Sequence, residues 1–129
     1  MLPQDARKLY DESLVIDGLN VSNWDSPAVY ESLSLGGVTA INATIATWEG
    51  FAETLDNISA WALRFKERSD SITLVETVDD ILEAKRSGRT GIILGWQNAT
   101  PIENDLDRLG LFHRLGVRIV QVTYHERNL

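Results

Sequence analysis

Gly91-Ile92-Ile93-Leu94-Gly95-Trp96-Gln97 is apolar on both faces until its last residue. A strand with one wet face alternates polar and apolar side chains, whereas one covered on both faces has no reason to. Double cover is the habit of parallel sheets flanked by helices. Residues 38–46 form a second run of this kind, rich in β-branched residues, so both segments are expected to be strands.

Helix signals surround them. Before residue 91, Thr77 with Asp80 forms a capping box that opens a helix bearing Val78, Ile81 and Leu82, and Gly88 stops it. Residues 71–76 precede it as another short strand. Phe51, Leu55, Ile58, Ala62 and Phe65 recur at three- and four-residue steps, the period of an amphipathic helix. Ser26-Pro27 starts a helix that Gly36-Gly37 ends. Residues 14–17 are a first apolar strand, expected to be buried, and residues 3–12 a leading helix with Ala6, Leu9 and Tyr10 on one side. On the other flank, Asn104 caps a helix bearing Leu106, Leu109 and Phe112, Gly116 closes it, and residues 118–123 are a fifth strand.

This alternation predicts an α/β chain built of parallel (β/α) units, either a doubly wound sheet or the opening of a (β/α)8 barrel. Asp17-Gly18-Leu19-Asn20 does not supply the glycine-rich turn of a dinucleotide site, and no phosphate loop occurs. Polar residues gather instead after strands: Asp17 and Asn20, Thr47 and Glu49, Gln97 and Asn98, Tyr124 and His125. Strand carboxyl ends form the active face of a barrel, and the reading is therefore the first four to five strands of a TIM-type barrel, incomplete in this chain. Residues 1–129 are taken as one N-terminal segment of such a barrel.

A net charge of −7 disfavours nucleic acid and anionic membrane surfaces as partners. The absence of cysteine excludes disulfides, a thiolate nucleophile and a cysteine zinc site. No signal peptide or membrane-spanning run is read, so a cytoplasmic location is expected.

With these elements laid out, the chain resembles the membrane (renal) dipeptidase family of zinc peptidases, which are (β/α)8 barrels. The resemblance is carried by Val15-Ile16-Asp17-Gly18-Leu19-Asn20-Val21 and by Leu115-Gly116-Val117-Arg118-Ile119-Val120-Gln121-Val122-Thr123-Tyr124, with Asn128 in the following loop. It runs over essentially the whole chain and corresponds to the first third to half of a family member.

The resemblance implies dipeptide hydrolysis at a two-zinc centre, and it also shows where this chain departs. The family's first strand ends in Asp-Gly-His-Asn-Asp, whose His and last Asp bind zinc; Leu19 and Val21 stand there. Its fourth strand ends in a bridging Glu followed by Gly-Gly; Gln97, Asn98 and Ala99 stand there. A substrate-facing His corresponds to Tyr124, and the remaining histidine ligands belong to later strands. Leu and Val have no lone pair for a cation, and an amide is neutral with one good oxygen, so Gln97 is a poor bridge. No metal is therefore expected to be held by this chain, although zinc is the family cofactor.

The candidate pocket residues are Asn20, Gln97, Asn98, Tyr124, His125 and Asn128. Asp17 is expected to orient the loop after the first strand. Trp24, Trp48 and Trp96 lie near strand ends, where each stacks on a ligand or fills core; Trp61 is assigned to helix packing, and Asn42 to the barrel interior or a polar partner. A barrel needs about 250 residues, so the open edges require the missing C-terminal half or a second copy. The ligand expected is a small or dipeptide-like molecule. Two functions compete, a dipeptidase-like hydrolase and a non-catalytic or repurposed binding barrel, beside the option of an inactive fragment.

Overall fold

Strand β4 (Thr90–Trp96), buried at every position, is the centre of the sheet. The computed structural model describes residues 4–125. Around β4 lie β1 (Ile16–Asn20), β2 (Ala40–Ala46), β3 (Ile72–Leu74) and β5 (Val117–Val120), and every pairing is parallel. The helices are α1 (Gln4–Glu12), α2 (Pro27–Gly36), α3 (Phe51–Glu67), α4 (Val78–Ser87) and α5 (Asp107–Arg114), with a 3-10 turn at Thr100–Ile102.

The strands do not follow one another in chain order. The order is β1-β2-β4-β3, and β5 joins the same edge of β4 as β3. β3 pairs with Thr90 to Ile92, and β5 with Leu94 to Trp96. The residue-71 segment is therefore a three-residue tab on the amino-terminal half of β4, while β1, β2, β4 and β5 form the continuous parallel wall. That wall is the form of a barrel's opening strands.

Chirality then places the helices. A parallel crossover is right-handed, so a connection that moves forward along the sheet covers one face and one that moves back covers the other. β1→β2, β2→β3 and β4→β5 move forward. Accordingly Tyr30 and Leu33 of α2, Trp61 of α3 and Phe112 of α5 share one core with Ile41, Ala43, Ile45, Ile92 and Leu94. β3→β4 moves back, and α4 lies on the opposite face, where Val75 and Ile81 meet Ala40 and Ile93. Helix α4 covers only the amino-terminal half of that face. A side chain at Gly91 would meet Ala40 and Ala84 at 3.4 Å and Val75 at 2.6 Å. The carboxyl half is left to Asn42, Thr44, Gly95 and Gln97.

Several expectations need correction. β1 is an edge with Ile16 and Leu19 exposed, because β2 covers it on one side only. Leu9, Val78, Leu82, Leu106 and Leu109 are exposed although each sat on a predicted apolar stripe. Small or single large residues, Ala84 in α4 and Phe112 in α5, make the contacts instead. Asn104 does not cap α5; Asp105 Oδ1 accepts the Asp107 amide at 3.0 Å. The Thr77–Asp80 capping box is present, and Gly37 and Gly88 end α2 and α4 at φ 67° and 69°.

Candidate functional site

The carboxyl ends of the four wall strands open along one edge. Asn20 is level with Ala43, the Gln97 amide donates to Ala46 O at 2.9 Å, and the Gln121 amide donates to Trp96 O at 3.0 Å. Positions 19–21, 43–47, 97 and 121 therefore border one mouth.

Gln97 is 6% exposed, and its Nε2 donates to Thr44 Oγ1 at 3.1 Å, a tie between β4 and β2. One pleat deeper, Asn42 is 5% exposed and donates from Nδ2 to Gly18 O at 3.0 Å, tying β2 to β1. Its Oδ1 is buried without a hydrogen-bond partner among the described residues and lies where a Gly95 side chain would begin. Asn42 thus faces the sheet interior and has a backbone partner, as its place in an apolar strand required.

At β1, Asp17 orients the turn. Oδ1 accepts the Leu19 amide at 3.1 Å and Oδ2 accepts Asn20 Nδ2 at 2.9 Å. Asn20 Oδ1 in turn accepts the Ser22 hydroxyl at 2.7 Å. Leu19 and Val21 stand half and largely exposed, at 50% and 71%.

Asn98 is buried but serves its own loop, donating from Nδ2 to Thr100 Oγ1 at 2.8 Å. Gln97 and Asn98, adjacent in sequence, thus have separate partners. Tyr124 and His125 do come together, ring centroids 4.0 Å apart, and both stand against Trp48, at 5.2 and 5.6 Å. This exposed three-ring group spans the ends of β2 and β5, two elements nearly eighty residues apart, which no sequence spacing could have joined. Trp96 and Trp61 are core residues, and Trp24 packs on Trp61 at 5.1 Å. Asn128 lies outside the described residues.

Glu49 is the charged group of this rim. Burial pushes its carboxyl up, but the amides of Thr47, Glu49 and Trp48 outweigh that and hold it below the ordinary range. The Thr47 and Trp48 amides both reach Oε2, at 2.7 and 3.0 Å.

Amides and hydroxyls make up most of the donor set at the mouth, and its carboxylates, Asp17 and Glu49, are engaged by the amides of their own loops. Among the described residues no three His, Cys, Asp or Glu side chains are grouped to hold a metal. Both Asp17 oxygens accept hydrogen bonds within their own turn, and Gln97, an amide rather than a carboxylate, gives its Nε2 to Thr44. On donor chemistry, these residues do not fit a zinc pair.

A parallel wall with alternating helices and its polar groups at the strand ends is the arrangement of the opening strands of a (β/α)8 barrel. Residues 19–129 match the family described as membrane dipeptidase (peptidase family M19), and the chain belongs to that family. A crystal structure of an amidohydrolase from Pseudomonas aeruginosa superposes with TM-score 0.92 at 40% identity, over 95% of this chain and 38% of that one. The probable dipeptidase PvdM of the same organism superposes at 0.80 with 16% identity, over 97% and 38%, a likeness of fold. Dipeptidase tcpJ of Claviceps purpurea is 33% identical over 61 residues, 47% of this chain and 14% of its own length. The chain thus spans well under half of the relatives it matches. No helix among the described residues is long and apolar enough to cross a membrane.

Proposed function

We propose that this chain forms the first wall of a dipeptidase-type barrel that receives a small, dipeptide-like molecule at the mouth bordered by Asn20, Gln97, Tyr124 and His125. In this reading it does so without holding the family's paired zinc. The observation that carries the proposal is Gln97. At the bridging position an amide is buried and hydrogen-bonded to Thr44, so the place of a metal-bound carboxylate is taken by a neutral strand tie. Leu19 and Val21 remove the first-strand donors as well. Hydrolysis at a water shared by two metals then has no support from this wall, and recognition by hydrogen bonds and ring contacts remains.

The test is to titrate the polypeptide in its full natural length with unlabelled dipeptides, following binding by calorimetry and cleavage by amine release. Saturable binding with no cleavage above background, with or without added zinc, is expected. Zinc-stimulated cleavage at ordinary peptidase rates would overturn the reading, as would failure to bind any dipeptide.

A further inference from the structure

Beside the mouth, the β1–α2 connection, the end of β2 and α3 border a cleft of about 210 Å3 lined by Val21, Trp24, Thr47, Glu49, Trp61 and Arg64. At roughly 30 Å3 per water molecule it holds about seven waters, room for one small organic molecule. Trp24, packed on the buried Trp61 at 5.1 Å, forms part of its wall, and among the described residues that line it the charged groups are the Glu49 carboxylate and the Arg64 guanidinium.

Both charged groups are held in place with capacity to spare. Glu49 takes the Thr47 and Trp48 amides on Oε2 and its own amide also bonds the carboxyl, and no side chain among the described residues pairs with it, so its charge is available to a ligand. Arg64, whose side chain is 21% exposed, gives Nη2 to Asp25 Oδ1 at 2.7 Å and lies 5.4 Å from the Trp61 ring centroid. Its Nε and Nη1 donate to no described residue. A guanidinium fixed by one ion pair and one ring, with two donor sites open, is a carboxylate receiver. An ionised carboxylate receives ammonium.

We propose that this cleft is a binding site for a free α-amino acid, its carboxylate on Arg64, its ammonium on Glu49 and its side chain against Val21 and Trp24. The site draws on α3 and the β1–α2 and β2–α3 connections and does not rest on the reading of the mouth as a dipeptide pocket. Loss of dipeptide binding there would leave it standing.

L-Leucine titrated into the intact protein tests it, by calorimetry and by the fluorescence of the tryptophans that line the cleft. Isoamylamine and 4-methylpentanoate, which each lack one charge, are titrated in parallel. L-Leucine is expected to bind saturably, with each half-ligand about tenfold weaker or worse, as befits the loss of one charge-assisted contact. Arg64→Gln and Glu49→Gln should each weaken L-leucine by a similar factor. Glutamine at 49 keeps an oxygen for the loop amides and so removes charge without removing the turn. No saturation by L-leucine, equal binding by either half-ligand, or equal binding by a folded Glu49→Gln protein would each overturn the site. The half-ligand comparison decides the matter even if Arg64→Gln fails to fold.

Discussion

Asn42 Oδ1 occupies the space that a side chain at Gly95 would need: a Cβ there would lie 2.2 Å from it and 3.1 Å from Ile119 Cβ. One close approach thus packs β2, β4 and β5 together beneath the mouth. Asn42 cannot swing aside freely, because its Nδ2 is tied to Gly18 O.

Gly95→Ala should therefore destabilise the protein by about 1–3 kcal/mol, the usual range for overpacking a filled interior. Asn42→Ala in the same chain should restore part of that loss, since it vacates the overlapped volume. Urea unfolding of the two single variants and the double variant measures the coupling. Strict additivity would mean the two residues do not share this space.

The α4 cap gives a pH prediction. The Asp80 carboxyl is held below its ordinary value by the Glu76 amide first, then by the Thr77 hydroxyl and amide. A carboxyl whose pKa is lower folded than unfolded contributes stability that is complete above the ordinary Asp range and disappears as pH falls through the lowered value. Thr77→Ala should cost about 1 kcal/mol at neutral pH. Asp80→Asn should destabilise at neutral pH, and the gap should close as pH falls through the lowered Asp80 value and the carboxyl takes up its proton. A gap that stays constant across that range would contradict the role given to the carboxylate.

Gln97→Glu should behave in the opposite sense. A carboxyl put in this 6% exposed position, beside a single hydroxyl, has its pKa raised by desolvation. Its charged form should cost on the order of 2 kcal/mol at neutral pH, a penalty relieved as pH falls and the group takes up a proton. Thermal unfolding from neutral to mildly acidic pH checks the sign.

Much of the element plan was legible because its punctuation is local: glycine at 37, 88 and 116, the Thr77–Asp80 box, and the unbroken apolar run before Gln97. Strand order was not. β3 and β5 share an edge of β4 because a three-residue strand covers only half of it, and no period in the sequence encodes that. Exposure of Val78 and Leu106 was illegible for a similar reason, since a stripe tells which side of a helix is apolar and not whether a neighbour reaches it. At the site, the substitutions at 19, 21 and 97 were visible from the family frame. The Gln97–Thr44 tie and the meeting of Trp48 with Tyr124 and His125 depend on residues far apart in the chain and appear only on folding.

The most direct measurement is the zinc content of the full-length polypeptide, purified without chelator, dialysed against metal-free buffer and assayed by inductively coupled plasma mass spectrometry. Replacement of the donors at 19, 21 and 97 predicts fewer than two tightly held zinc ions per chain, with additional zinc retained when Leu19→His, Val21→Asp and Gln97→Glu are combined. Two zinc ions retained by the unaltered protein would contradict the claim that this wall has given up the paired metal centre.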